Sequence, residues 1–160
     1  GFVMASSATD AGGSEKLIRQ RLIETGAVDC IVAVGNNFFY TRSLPCHLWF
    51  LDRDKAKANK SKILMIDARN TFRQVNTTLR DFTPDQMQGL TAIVKAYRGD
   101  DVSNAFASNE WSKATFSMGA YEDIEGLCKI VDVADVAAND FSLTPGRYVG
   151  YTVELDKGFD

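Results

Sequence analysis

Apolar and polar positions divide the chain into strand-length apolar runs, amphipathic helices and polar connections. Gly1-Phe2-Val3-Met4-Ala5 reads as a buried strand, followed by a small polar loop over residues 6–13. Ser14 then stands as the N-cap of a helix running to about Thr25, with Glu15 in its positive first turn. Leu17, Ile18 and Leu22 form the apolar stripe of that helix, and Lys16, Arg19, Gln20 and Glu24 face water. Gly26 follows where a left-handed C-terminal residue is usual. Val28-Asp29-Cys30-Ile31-Val32-Ala33-Val34 is a strand, and residues 45–51, with Leu48, Trp49 and Phe50, are another. Between these two, residues 35–44 carry Phe38, Phe39 and Tyr40 in a row, an unusual load for a connection that lies in water.

Residues 52–62 form a polar connection to a further strand, Ile63-Leu64-Met65-Ile66-Asp67. The clearest helix follows: Thr83 caps it, Pro84 sits in its first turn, and Gln86 completes a capping box. Met87, Leu90, Ile93, Val94 and Tyr97 recur at helical spacing, and Gly99 ends the pattern. Residues 100–120 show no clear period and read as irregular. Residues 127–131 form a short strand, Asp132 caps a short helix to about Ala138, and the turn Asn139-Asp140 leads into residues 142–150. This order of elements argues α/β architecture. The close spacing of the second and third strands predicts an antiparallel pair at the edge of an otherwise parallel sheet.

With 160 residues, 45% of them hydrophobic, and a net charge of -3, the chain supports one ordinary domain with a real core. Overall charge gives no hint of nucleic-acid binding, so such a role has to come from local patches. No apolar run is long enough to cross a bilayer and no secretory pattern is seen, so a cytoplasmic protein is expected. Cys30, Cys46 and Cys128 are widely spaced in apolar stretches, and His47 is the single histidine, so no zinc set is present. Buried reduced thiols are the expectation for all three cysteines. Arg53, Lys55, Lys57, Lys60 and Lys62 against Asp54 give five cations and one carboxylate in a short stretch. They are a candidate contact for a phosphate backbone, with a solvated connection as the plainer reading. His47 has no readable triad partners and reads as a core or edge histidine. Gly12-Gly13-Ser14 reads as a flexible loop before a helix, and Asp100-Asp101 as a solvated turn. Arg147 either contacts a partner or braces its own turn.

Several segments together resemble one family. Residues 32–51, VAVGNNFFYTRSLPCHLWFL, resemble the pattern VALP-x-x-x-FY-x-T-x-(I/L)-P-x-x-LWFL, and residues 63–69, ILMIDAR, resemble ILFIDAR. Tyr97-Arg98-Gly99 resembles the end of the family helix, and Ser142-Leu143-Thr144-Pro145-Gly146-Arg147-Tyr148-Val149-Gly150 resembles LTPGRYVG. The family is that of adenine-N6 DNA methylases, the modification subunits of type I restriction-modification systems. The resemblance implies the C-terminal part of a class I, Rossmann-like methyltransferase domain over residues 1–150, with a C-terminal extension starting at 151–160. It implies S-adenosylmethionine as methyl donor, DNA as substrate, and specificity and restriction subunits as partners of the full subunit. The family's glycine-rich cofactor turn and its Asn-Pro-Pro-Phe/Tyr motif do not occur here and would lie upstream. No catalytic residue and no bound cofactor are therefore expected in this piece. The resemblance assigns Phe39 to stacking against the target base, with Phe38 and Tyr40 shaping the pocket. One departure is Gly35, where the family usually has proline. In the family sheet the strand matching Gly1–Ala5 lies inside, so in the isolated chain its bare edge is expected to self-associate or to be disordered. Two further readings stand beside this one: a non-catalytic module docking to a specificity subunit, and part of an amino-methyltransferase acting on RNA or protein.

Overall fold

The structure, a computed structural model, describes residues 1–117 and 119–150. The extension expected over 151–160 lies outside the described residues. Strand β1 (Phe2–Ala5) leads through a 3-10 turn into helix α1 (Gly13–Glu24), then β2 (Val28–Val34), β3 (Cys46–Leu51) and β4 (Lys62–Ala68). A small hairpin of β5 (Arg73–Asn76) and β6 (Leu79–Asp81) precedes α2 (Pro84–Tyr97), α3 (Ser103–Ser108) and α4 (Glu110–Thr115). Strand β7 (Cys128–Asp132) and helices α5 (Val133–Ala138) and α6 (Gly146–Val149) complete the described chain.

The main sheet has the order β1-β3-β2-β4-β7, with β2 and β4 parallel and every other neighbouring pair antiparallel. The expected antiparallel pairing of β2 with β3 is present, but β3 lies inside the sheet, and antiparallel contacts outnumber the single parallel one. As a result β1, β2 and β4 all run in one direction while β3 and β7 oppose them.

Period-two alternation sends the sheet's side chains to two cores. Cys30, Val32, Val34, Leu64 and Ile66 meet Ile93, Tyr97, Phe106 and Phe116 from α2 and the segment after it. Ile31, Trp49, Ile63 and Met65 meet Ile23 of α1, Val136 of α5 and Val149 of α6. All seven residues of β2 are buried, which is why its sequence reads as a nearly unbroken apolar run. Its one charge, Asp29, sits at a bulge and accepts from Arg98 Nε and Nη2 at 2.9 and 2.7 Å.

Four local expectations need correction. The strand Gly1–Ala5 is not buried: among the described residues β1 pairs only with β3, and Phe2 and Val3 are exposed. Helix α1 turns its expected apolar stripe outward at Leu17 and Ile18 and buries Arg19 and Ile23 instead. The Arg19 guanidinium is satisfied by the carbonyls of Phe141 (2.7 Å), Ala11 (2.8 Å) and Ala8 (3.2 Å), which makes its burial tolerable. Its N-cap is Gly12 rather than Ser14, with no side-chain capping bond. Finally, residues 103–115 form two six-residue helices, too short to show a period, anchored by buried Phe106 and Phe116 with ring centroids 4.7 Å apart. By contrast, α2 has the expected capping box, with Thr83 and Gln86 bonded reciprocally.

Among the described residues the outer edge of β1 has no strand partner and lies between exposed apolar side chains, a template for strand addition. In sedimentation velocity the isolated chain is expected to associate with rising concentration, and Val3→Lys to suppress that association. A wild-type chain that stays monomeric at high concentration would contradict this expectation.

Candidate functional site

The C-terminal ends of β1, β2 and β4 lie together at one rim of the sheet, the rim where α/β folds place their ligands. Residues 6–10, 35–45 and 69–72 are the loops that leave those ends. At the end of β4, Arg69 Nε and Nη2 pair with both carboxylate oxygens of Asp67, at 2.8 and 2.6 Å. Two glycines make room for this fork. A Cβ on Gly146 would stand 2.7 Å from Arg69 Nη2, and one on Gly35 would stand 2.8 Å from the Arg69 carbonyl oxygen. The segments Ile-Asp-Ala-Arg and Thr-Pro-Gly-Arg therefore meet in space, with the loop after β2 against them.

The loop after β1 joins the same cluster. Asp10 accepts from Ser142 Oγ and from Thr144 Oγ1 (2.7 Å), Arg147 Nε approaches it at 3.7 Å, and Thr9 and Thr144 share a hydroxyl bond of 2.9 Å. Arg147 thus braces its own segment. Burial pushes the Asp10 carboxyl up, but the Ser142 and Thr144 hydrogen bonds and the Arg147 charge outweigh it and hold it below its ordinary value. Between these groups is a cavity of about 240 Å³ lined by Thr9, Asp10, His47, Arg69, Thr144 and Gly146. His47 is only 6% exposed, and its Nδ1 has no hydrogen-bond partner among the described residues. Burial, aided by the Arg69 charge, lowers its pKa against the opposing pull of Asp67 and Asp10. Its burial agrees with the reading of His47 as a core or edge histidine.

The aromatic loop after β2 splits its three rings. Phe38 turns inward and packs on Phe82, with ring centroids 4.7 Å apart and planes tilted by 45°. Phe39 remains 43% exposed and Tyr40 92% exposed. Both face a cavity of about 320 Å³ whose other walls include Asn37, Arg42, Thr77 and Thr78. The β5–β6 hairpin supplies the last two residues and fixes the loop. The Arg80 amide donates to Asn37 O (2.8 Å), and Arg80 Nη1 donates to Asn36 Oδ1 (2.7 Å). The same guanidinium lies 3.9 Å above the Phe72 ring. Nothing in the sequence pattern separates this hairpin from an ordinary polar connection. Its one signal, Asn76-Thr77-Thr78 between two residue pairs of mixed polarity, is weak.

The basic stretch falls elsewhere. Residues 52–61 join β3 to β4 at the opposite end of the sheet, where the Asp52 amide donates to Ala27 O at 2.7 Å. Seven residues of β2, roughly 20 Å of strand, separate that end from the aromatic rim. Lys55 does not face solvent at all. It is buried, its Nζ donates to the carbonyls of Val28 (2.8 Å) and Lys62, and burial lowers its pKa. A side chain spent on joining β2 to β4 cannot also meet a phosphate, which corrects the expectation for Lys55. Arg53 and Lys57 are exposed, on that far end. All three cysteines are buried free thiols. No helix among the described residues is long and apolar enough to cross a membrane.

The mixed sheet has a methyltransferase fold. The fold matches the crystal structure of the type I restriction-modification system methyltransferase subunit from Streptococcus thermophilus with a TM-score of 0.70. That match covers 92% of this chain and 25% of that one at 21% identity. Residues 1–157 match the model of the N-6 DNA methylase family, and the chain belongs to that family. It is 35% identical to the type I restriction enzyme MjaIX methylase subunit of Methanocaldococcus jannaschii, over 98% of this chain and 25% of the relative. It is 32% identical to the type I restriction enzyme HindI methylase subunit of Haemophilus influenzae, over 91% of this chain and 28% of the relative. The chain thus spans about a quarter of the length of the curated relatives it matches.

The lowered pKa of His47 has a pH signature. The unfolded chain takes up a proton near pH 6.5, whereas the folded imidazole resists it, so stability is full above about 6.5 and declines as the pH falls toward the folded value. Urea unfolding is expected to show that decline as the pH falls from about 6.5 to about 5 in the wild type, and less of it in His47→Gln. Equal slopes would place the proton uptake elsewhere.

Proposed function

We propose that this chain is the target-base-receiving part of an adenine-N6 DNA methyltransferase subunit of a type I restriction-modification system. The observation that supports this most directly is the pair of exposed aromatics, Phe39 and Tyr40, at the mouth of a rim cavity in a chain of this family. Exposed rings on a loop are costly unless something covers them, and an extruded purine is a flat apolar partner. The exocyclic amine of adenine is paired and shielded inside a duplex, so its methylation requires the base to leave the stack. Phe39 then offers the stacking face and Tyr40 closes the mouth. Phe38 shapes the pocket from behind by its packing on Phe82.

The residues described here do not suit S-adenosylmethionine. The two rim glycines, Gly35 and Gly146, are closed against Arg69 rather than opened as a cradle, and the Asn-Pro-Pro-Phe/Tyr motif that in the family holds the target amine does not occur either. The cofactor and the methyl transfer belong, in this reading, to the remainder of the subunit. Specificity and restriction subunits of the same system are the partners it implies, with DNA bound by the whole complex.

Phe39→Ala in the complete subunit tests the assignment. Base–aromatic stacking is worth roughly 1–3 kcal/mol, so methylation of duplex DNA is expected to fall about fivefold to a hundredfold. Binding of S-adenosylmethionine is expected to stay as in the wild type. An unchanged methylation rate would assign the aromatic loop to structure alone.

A further inference from the structure

The β5–β6 hairpin has no role in stacking, yet it is built into the same cavity. Its base is fixed to the aromatic loop by the Arg80 bonds to Asn36 and Asn37, and to α2 by Gln86 Nε2 donating to Phe72 O at 3.3 Å. Its strands are joined by Arg73 forking onto Asp81 at 2.9 and 2.6 Å. All four residues of β5 are exposed, so the hydrophobic core does not depend on it. An exposed two-stranded hairpin is marginal by itself, and here several side-chain bonds hold it in one place.

Its tip, Thr77 and Thr78, lines the cavity with Phe39, Tyr40 and Arg42. Arg42 is exposed and has no ion-pair partner among the described residues. The charge balance also reverses locally. Residues 35–45 and 72–82 hold three arginines against one aspartate, while the chain as a whole carries -3. A stacking pocket flanked by a guanidinium with no ion-pair partner among the described residues and by two exposed hydroxyls suits a base with its phosphate still attached.

We propose that Arg42 together with Thr77 and Thr78 grips the phosphodiester backbone of the DNA strand whose adenine stacks on Phe39. The guanidinium fork matches two phosphate oxygens, the Thr77 hydroxyl donates to the same or the adjacent phosphate, and the Thr78 hydroxyl does so on exchanging its 3.1 Å bond to Asn76 Oδ1. Such contacts carry no sequence information and fix the register of the strand at the pocket. The hairpin is then the second wall of the target pocket, and the strand lies between it and the aromatic loop. This rests on the target-base reading of Phe39.

The test uses the assembled methyltransferase that contains this segment. Duplex affinity is measured by fluorescence anisotropy over a range of salt for Arg42→Gln, for the Thr77→Ala/Thr78→Ala double variant and for Phe39→Ala. Arg42→Gln is expected to weaken duplex binding about tenfold and to make the log–log salt slope shallower by about 0.9, the loss of one phosphate contact. The threonine pair is expected to weaken binding several-fold with little change in slope, since its hydroxyls carry no charge. If Phe39→Ala leaves methylation unchanged, the target-base reading falls and takes this proposal with it. If Phe39→Ala lowers methylation while both other variants keep wild-type affinity and slope, the backbone grip alone is overturned. Loss of the specificity subunit from the assembly in sedimentation, with the salt slope intact, would overturn it too and make the hairpin a protein-docking element.

Discussion

The fork of Arg69 onto Asp67 ties together parts of the chain that are far apart in sequence. It stands at the end of β4, where the strand leaves the sheet, and it is a two-pronged charge-assisted contact of the strong kind. Gly146 comes so close that a methyl group there would collide with the guanidinium, and Gly35 lies as tightly against the Arg69 carbonyl. The start of α6 and the loop after β2 are thus positioned against one side chain. Through Thr144 and Asp10 the loop after β1 joins them. The aromatic loop leaves from Gly35, so the place where Phe39 and Tyr40 emerge depends on this packing.

The same geometry accounts for Gly35 standing where the resemblance leads one to expect proline. A proline there would set its ring where the Arg69 carbonyl already stands, whereas glycine lets the two strand-end loops touch. The rim is held from behind by two cores, one on each face of the sheet, and by charges that reach across it. Asp29 with Arg98 and Lys55 with the carbonyls of Val28 and Lys62 anchor the opposite end of β2. These polar contacts stand at the two ends of the central strands, and the loop at the rim end exposes Phe39 and Tyr40.

Much of this was legible in the residues, where local chemistry and tertiary packing agree. The apolar run of β2, the capping box of α2 and the turn after Ala138 follow from rules that act over a few residues. Legibility fails where a distant partner decides. Arg19 looks like a solvent-facing residue until Phe141, Ala8 and Ala11 supply carbonyls for its guanidinium. Lys55 looks like one lysine of a basic stretch until β2 and β4 enclose it. The six-residue helices α3 and α4 are held by the Phe106–Phe116 contact rather than by any pattern of their own. At the candidate site, the run of three aromatics is visible in the sequence, and only the fold shows that Phe38 turns into the core while Phe39 and Tyr40 do not.

If the exposed rings at this rim receive the flipped adenine, that base must lie against them when the duplex is bound. A duplex carrying 8-azidoadenine at the methylated position, irradiated in complex with the assembled enzyme, measures this proximity directly. Peptide mapping should place the crosslink within residues 37–42, on Phe39 or Tyr40. Efficient crosslinking confined to peptides outside that loop would contradict the placement of the target base at this rim.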